Sequence, residues 1–107
     1  MSGGDWKEML VAVQDGNIDL VKYHLSNGID INYEHPELLT TALIESITYG
    51  HFDLTKYLLE NGADPAQKAW ISSDTPLKAA KQRGDKATIK LIKSYLPRRK
   101  WFRLFSS

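Results

Sequence analysis

Three histidines, His24, His35 and His51, are the first residues to weigh for chemistry. An imidazole can ligate a metal or move a proton near neutral pH, but it needs a second group placed beside it. None of the three stands four residues from another, and the chain has no cysteine. A zinc site therefore has no ligand pair to start from, and disulfides are excluded. There is no glycine-rich phosphate loop and no nucleophile elbow. The expectation is a protein with no catalysis, no cofactor and no metal. What remains is recognition, in which tryptophan, tyrosine and arginine carry most of the energy of an interface.

These residues must be positioned by a repeated scaffold. Gly16-Asn17-Ile18-Asp19-Leu20, Lys22-Tyr23 and Asn27-Gly28-Ile29-Asp30 return as Gly50-His51-Phe52-Asp53-Leu54, Lys56-Tyr57 and Asn61-Gly62-Ala63-Asp64, each 34 positions later. A third copy opens at Thr75-Pro76-Leu77-Lys78-Ala79-Ala80 and reaches Gly84, 34 beyond Gly50. A fixed period of this size marks stacked units that bury their apolar faces only against their neighbours. Each unit reads as two short antiparallel helices and a loop. Thr75 can cap a helix whose first position is Pro76. Asp5 and Glu8 have the spacing of a capping box for the first helix. Gly16, Gly50 and Gly84 end the first helices, and Gly28 and Gly62 end the second ones. In the third unit Leu96-Pro97 takes over that role.

The 107 residues fit one domain, 42% apolar and 25% charged, as in ordinary globular proteins. Neither a signal-peptide pattern nor a membrane-length apolar run is present, so a soluble cytoplasmic protein is expected. The net charge of +1 hides a split. Residues 1–64 hold 3 bases and 11 acids (3 − 11 = −8), whereas residues 65–107 hold 11 bases and 2 acids (11 − 2 = +9). In a linear stack, order in the chain is order in space, so one end is acidic and the other basic.

The chain resembles the ankyrin repeat family over roughly residues 5–96. The resemblance is carried by Thr75-Pro76-Leu77-Lys78-Ala79-Ala80, Gly50-His51-Phe52-Asp53-Leu54, Leu58-Leu59 and Asn61-Gly62-Ala63-Asp64, all in register. It departs from the family in its longer loops, and Lys78 stands in the place of the motif histidine, with Ile44 and Leu10 in the other units. The resemblance implies an all-α solenoid of three helix-turn-helix repeats at about 5–37, 38–72 and 73–97, followed by a basic aromatic tail at 98–107. It also implies that His24 packs where the family has an apolar residue, and that His51 is the helix-start histidine.

A binding surface follows from the same resemblance. Ankyrin-like proteins bind through loop tips and the inner face of the first helices. The matching residues are Gln14, Asp15, Thr48, Tyr49, Gln82 and Arg83 on the helices, and Tyr33, His35, Glu37, Trp70 and Ile71 on the loops. Trp70, Tyr49 and Tyr33 are the expected anchors.

The tail, Pro97-Arg98-Arg99-Lys100-Trp101-Phe102-Arg103-Leu104-Phe105, places Trp101, Leu104 and Phe105 on one helical face. It suits a cover for the last unit, or a basic segment that meets an anionic membrane or an acidic groove. The expected function is a non-enzymatic protein-binding module, an adaptor or a small inhibitor or immunity-type binder that occludes one partner. The alternative is peripheral binding to an anionic membrane surface or nucleic acid through the basic end. Nucleic acid is the weaker case, since the acidic half repels phosphate. A monomer is expected, with oppositely charged ends that leave room for weak head-to-tail contact.

Overall fold

The computed structural model describes residues 3–36, 38–69 and 74–97. Six helices form among them: α1 (Gly3–Asp15), α2 (Ile18–Ser26), α3 (Ala42–Thr48), α4 (Phe52–Glu60), α5 (Pro76–Arg83) and α6 (Lys86–Tyr95). They pair as α1 with α2, α3 with α4 and α5 with α6. The first helices stack as α1, α3, α5, and α4 lies on α6.

Local chemistry sets the helix starts. Thr41 and Thr75 both have extended backbone, and their hydroxyls accept the Ile44 and Lys78 amides at 3.3 and 3.1 Å. Asn17 accepts the Leu20 amide at 3.2 Å, and Asp85 the Thr88 amide at 3.1 Å. Each cap satisfies an amide that the helix leaves without a partner, worth roughly 0.5–2 kcal/mol. The N-terminus differs from expectation. Helix α1 begins at Gly3, so Asp5 stands inside its first turn and not at a cap. Trp6 belongs to the buried face of α1.

The core is one continuous seam. Met9 and Val13 from α1, Val21 from α2, Leu43 and Ile47 from α3, Leu54 and Leu58 from α4, and Leu77, Ala80 and Ile92 from the third unit are all buried. Burial of each large side chain stabilises by about 1.5–3 kcal/mol. The small Ala42, Ala79 and Ala80 lie within this seam, where stacked first helices need little bulk. Two hydroxyls are buried in the middle unit. Ser46 and Thr55 meet at 2.8 Å, and each also lies within hydrogen-bond distance of a carbonyl one turn back, Leu43 and His51 respectively, so one hydroxyl donates to the other, which donates to its carbonyl. Their burial is thereby matched by hydrogen bonds.

His24 is buried as expected. Its counterparts 34 and 68 positions later are Leu58 and Ile92, both fully buried. Nε2 of His24 has no hydrogen-bond partner, and the nearest acid is Glu8 at 3.8 Å. A core position built for an apolar side chain therefore holds an unsatisfied polar atom.

Candidate partner-binding face

The face begins where α1 and α3 end. The chain turns at Gly16 and Gly50 with φ of 71° and 78°, a conformation open to glycine and costly for other residues. The next unit then closes over each turn. His51 Nε2 meets the Gln14 carbonyl at 2.6 Å, and a Cβ on Gly16 would lie 2.6 Å from His51 Nδ1. One unit on, Arg83 Nη1 donates to the Thr48 carbonyl at 3.1 Å, and a Cβ on Gly50 would run into the same guanidinium. Both carbonyls lie at helix C-termini, where such side chains are favoured by the orphan acceptors and, for a cation, by the helix dipole. Different residue types thus make equivalent joints between successive units.

A second set of joints runs along the loops. The Asn32 side chain donates to the Gly62 carbonyl at 3.2 Å and accepts the Asp64 amide at 2.7 Å. The Gln67 amide group donates back to the Asn32 carbonyl at 2.9 Å. Asp30 and Asp64 each fold their own turn by accepting the amide two residues on, Asn32 and Ala66. The two loops are closed alike, the His35 amide donating to the Thr40 carbonyl and the Ala69 amide to the Asp74 carbonyl. With Lys78 in the place of the motif histidine, Asn32 supplies a tie between the first two loops.

The expected binding residues fall into groups. Asp15, Thr48, Tyr49, Gln82 and Arg83 are all exposed at the ends of α1, α3 and α5, in repeated register. Tyr49 offers the largest apolar surface of these, at 48% exposure. Arg83 is anchored on α3, as described, and the Thr48 hydroxyl is spent on the Ile44 carbonyl at 2.9 Å. Gln14 is half-buried and donates to Glu45 Oε1 at 3.2 Å, which makes it a further joint between units.

His35 departs from its expected place. It is buried at 6% exposure, so it organises the first loop and offers no contact surface. Its Nδ1 accepts the Leu38 amide, its carbonyl accepts the Leu39 amide, and its ring lies 5.0 Å from that of Trp6. Tyr33 completes this aromatic group, 5.8 Å from Trp6 and edge-on to His35, yet keeps 39% of its surface exposed. Glu37, Trp70 and Ile71 lie outside the described residues, as do the tail residues Trp101, Leu104 and Phe105. Among the described residues no group of three or more His, Asp or Glu gathers as a metal site would. No helix among them is long and apolar enough to cross a membrane.

At the basic end, Lys78, Lys81, Lys86 and Lys90 are exposed. Lys78 pairs with Asp74 at 3.3 Å across the α5 start, a surface contact worth under about 1 kcal/mol. Asp85 is held below the usual carboxylate range, first by the Thr88 hydroxyl at 2.6 Å and then by the Thr88 amide.

Stacked helix pairs with glycine-turned ends and loop ladders define an all-α repeat solenoid. A family model of ankyrin repeats matches three copies over residues 9–97, and the chain belongs to the ankyrin repeat family. Among solved structures, the human ASB11 ankyrin repeat domain superposes with a TM-score of 0.75 at 34% identity. The match covers 83% of this chain and 39% of that one. Comparison with curated proteins found no sequence match. Ankyrin repeats are a non-catalytic fold that generally binds other proteins.

Proposed function

We propose that this chain is a non-enzymatic module that grips one partner protein, as an adaptor or as an inhibitor that occludes the partner's own site. The observation that carries this reading is the row of Asp15, Tyr49 and Gln82. Each is exposed, and each stands at the end of a first helix fixed in place by its neighbours. A rigid row of this kind binds without first losing conformational entropy, which favours affinity. Tyr49 serves as the central anchor, and Tyr33 and Trp70 are the further anchors of this reading.

The test is affinity capture from the source cell with the wild type and with a Tyr49→Ala, Gln82→Ala variant, both checked for fold by circular dichroism. A stoichiometric partner held by the wild type and at least tenfold depleted with the variant supports the reading. Equal recovery by both proteins removes it. A second reading rests on the exposed Lys81, Lys86 and Lys90. Those residues would bring an anionic membrane surface to the basic end, and titration with acidic and neutral vesicles at two salt concentrations separates the two.

A further inference from the structure

The 34-residue register compares each position with the same position in a neighbouring unit, and at the N-terminal end the comparison is uneven. Leu20 is 38% exposed, whereas its counterpart Leu54 is 1% exposed. Val11 is 55% exposed, whereas its counterpart Ala79 is buried at 7%. The other counterpart of Val11, Glu45, receives the Gln14 amide from the unit before it. Tyr23 is 60% exposed, and its counterpart Tyr57 is half-buried beneath Lys22 of the preceding unit, whose ammonium lies 5.1 Å from the ring centroid. Positions that face a preceding unit elsewhere in the stack are therefore open in the first one.

The other end offers the complement. The counterpart of Lys22 in the third unit is Lys90, which is exposed (22 + 68 = 90). The Lys22–Tyr57 joint spans 35 positions, and the same step from Lys90, taken back by three periods, lands on Tyr23 (90 + 35 − 102 = 23). Charge agrees with this register. The Glu8 side chain beside the open face is 73% exposed, and residues 1–64 carry −8 against +9 for the remainder. Opposite net charges favour encounter and orient it.

We propose that the face made by Val11, Leu20 and Tyr23 receives the third unit of a second copy of this chain, stacked head to tail, with Lys90 over the Tyr23 ring. The contact is heterologous, the two partners using different surfaces, so it extends into open chains unless the rotation closes it. It is separate from the Tyr49 face and leaves that row free.

Sedimentation velocity over a hundredfold concentration range, at low and high salt, tests it. The wild type is expected to gain mass with concentration at low salt and to lose it when salt is added. A head-blocked variant (Val11→Asp, Tyr23→Asp) and a tail-blocked variant (Lys86→Glu, Lys90→Glu) should each stay monomeric. All four positions are exposed, and folding of each variant is checked by circular dichroism. Mixed together, the two variants should form a one-to-one dimer that grows no further, because each retains one intact surface. A wild type that is monomeric throughout, a blocked variant that associates like wild type, or a mixture that stays monomeric overturns the proposal. Association that survives Lys86→Glu, Lys90→Glu but is lost on Arg98→Glu, Arg99→Glu would put the tail on this face and also overturn it.

Discussion

His51 Nε2 lies 2.6 Å from the carbonyl oxygen of Gln14, 37 residues earlier in the chain. This bond joins the second unit to the end of the first helix, and the ring covers Gly16. Replacing His51 with alanine exposes a helix-end carbonyl and removes the packing over the turn. The loss of one such bond costs about 0.5–1.5 kcal/mol. For a chain of this size the melting temperature should fall by roughly 4–8 °C per kcal/mol, measured by circular dichroism. An unchanged melting temperature would show that the joint contributes nothing.

Gly16 and Gly84 share a backbone conformation, with φ of 71° and 72°. Around Gly84 nothing lies within 4 Å of an added Cβ, whereas at Gly16 the His51 ring does. Gly84→Ala should therefore cost only the left-handed backbone penalty, about 1–2 kcal/mol. Gly16→Ala should cost that and more, because the ring must move and its bond to Gln14 is strained. Urea denaturation of the two variants gives the difference directly, and equal costs would contradict the close approach.

At position 24 the chain holds a histidine where Leu58 and Ile92 stand in the later units. Its Nε2 is buried without a partner. His24→Leu should raise stability by about 1–2 kcal/mol, since an unsatisfied buried polar atom is removed and apolar volume is kept. A lower midpoint in urea would indicate that the Glu8 contact at 3.8 Å matters more than the burial cost.

Asp85 caps α6 and is held below the usual carboxylate range by Thr88. A carboxylate whose folded pKa is depressed contributes stability above its unfolded pKa, and loses it as pH falls through the folded one. Asp85→Asn keeps an acceptor but not the charge. The variant should be less stable than wild type near neutral pH, and the gap should close as pH drops from about 5 towards about 3. Melting curves across that range check the sign, and a gap constant with pH would contradict it.

Asn32 makes two side-chain bonds to the second loop, to the Gly62 carbonyl and from the Asp64 amide. Asn32→Ala should cost about 1–3 kcal/mol and speed amide exchange at Asp64. Exchange at Asp64 that stays as slow as in wild type would remove Asn32 from the loop ladder.

The periodic features were legible in the sequence because they follow from local spacing. Thr75-Pro76 marks a helix start, Gly16 and Gly50 mark the turns, and the apolar pattern of α2, α4 and α6 needs no partner to be read. The joints between units were not legible in the same way. Asn17, His51 and Asp85 occupy one repeat position, yet only His51 reaches back to the preceding unit, and Arg83 does that work one unit later. The burial of His35 depends on Trp6, 29 residues earlier, and a loop histidine carries no local sign of that contact. Asn32 could have been suspected from its place two residues after Asp30, where Ala66 follows Asp64, but its reach across loops appears only in three dimensions.

The proposed partner-gripping face spans the ends of α3 and α5 around Tyr49. Hydrogen exchange of this chain with and without its captured partner tests it most directly. Slowed exchange over residues 44–50 and 78–84, at the ends of α3 and α5, with α6 unchanged, is the predicted result. Protection confined to α4 and α6, with the Tyr49 turn exchanging as it does in the free protein, would contradict it.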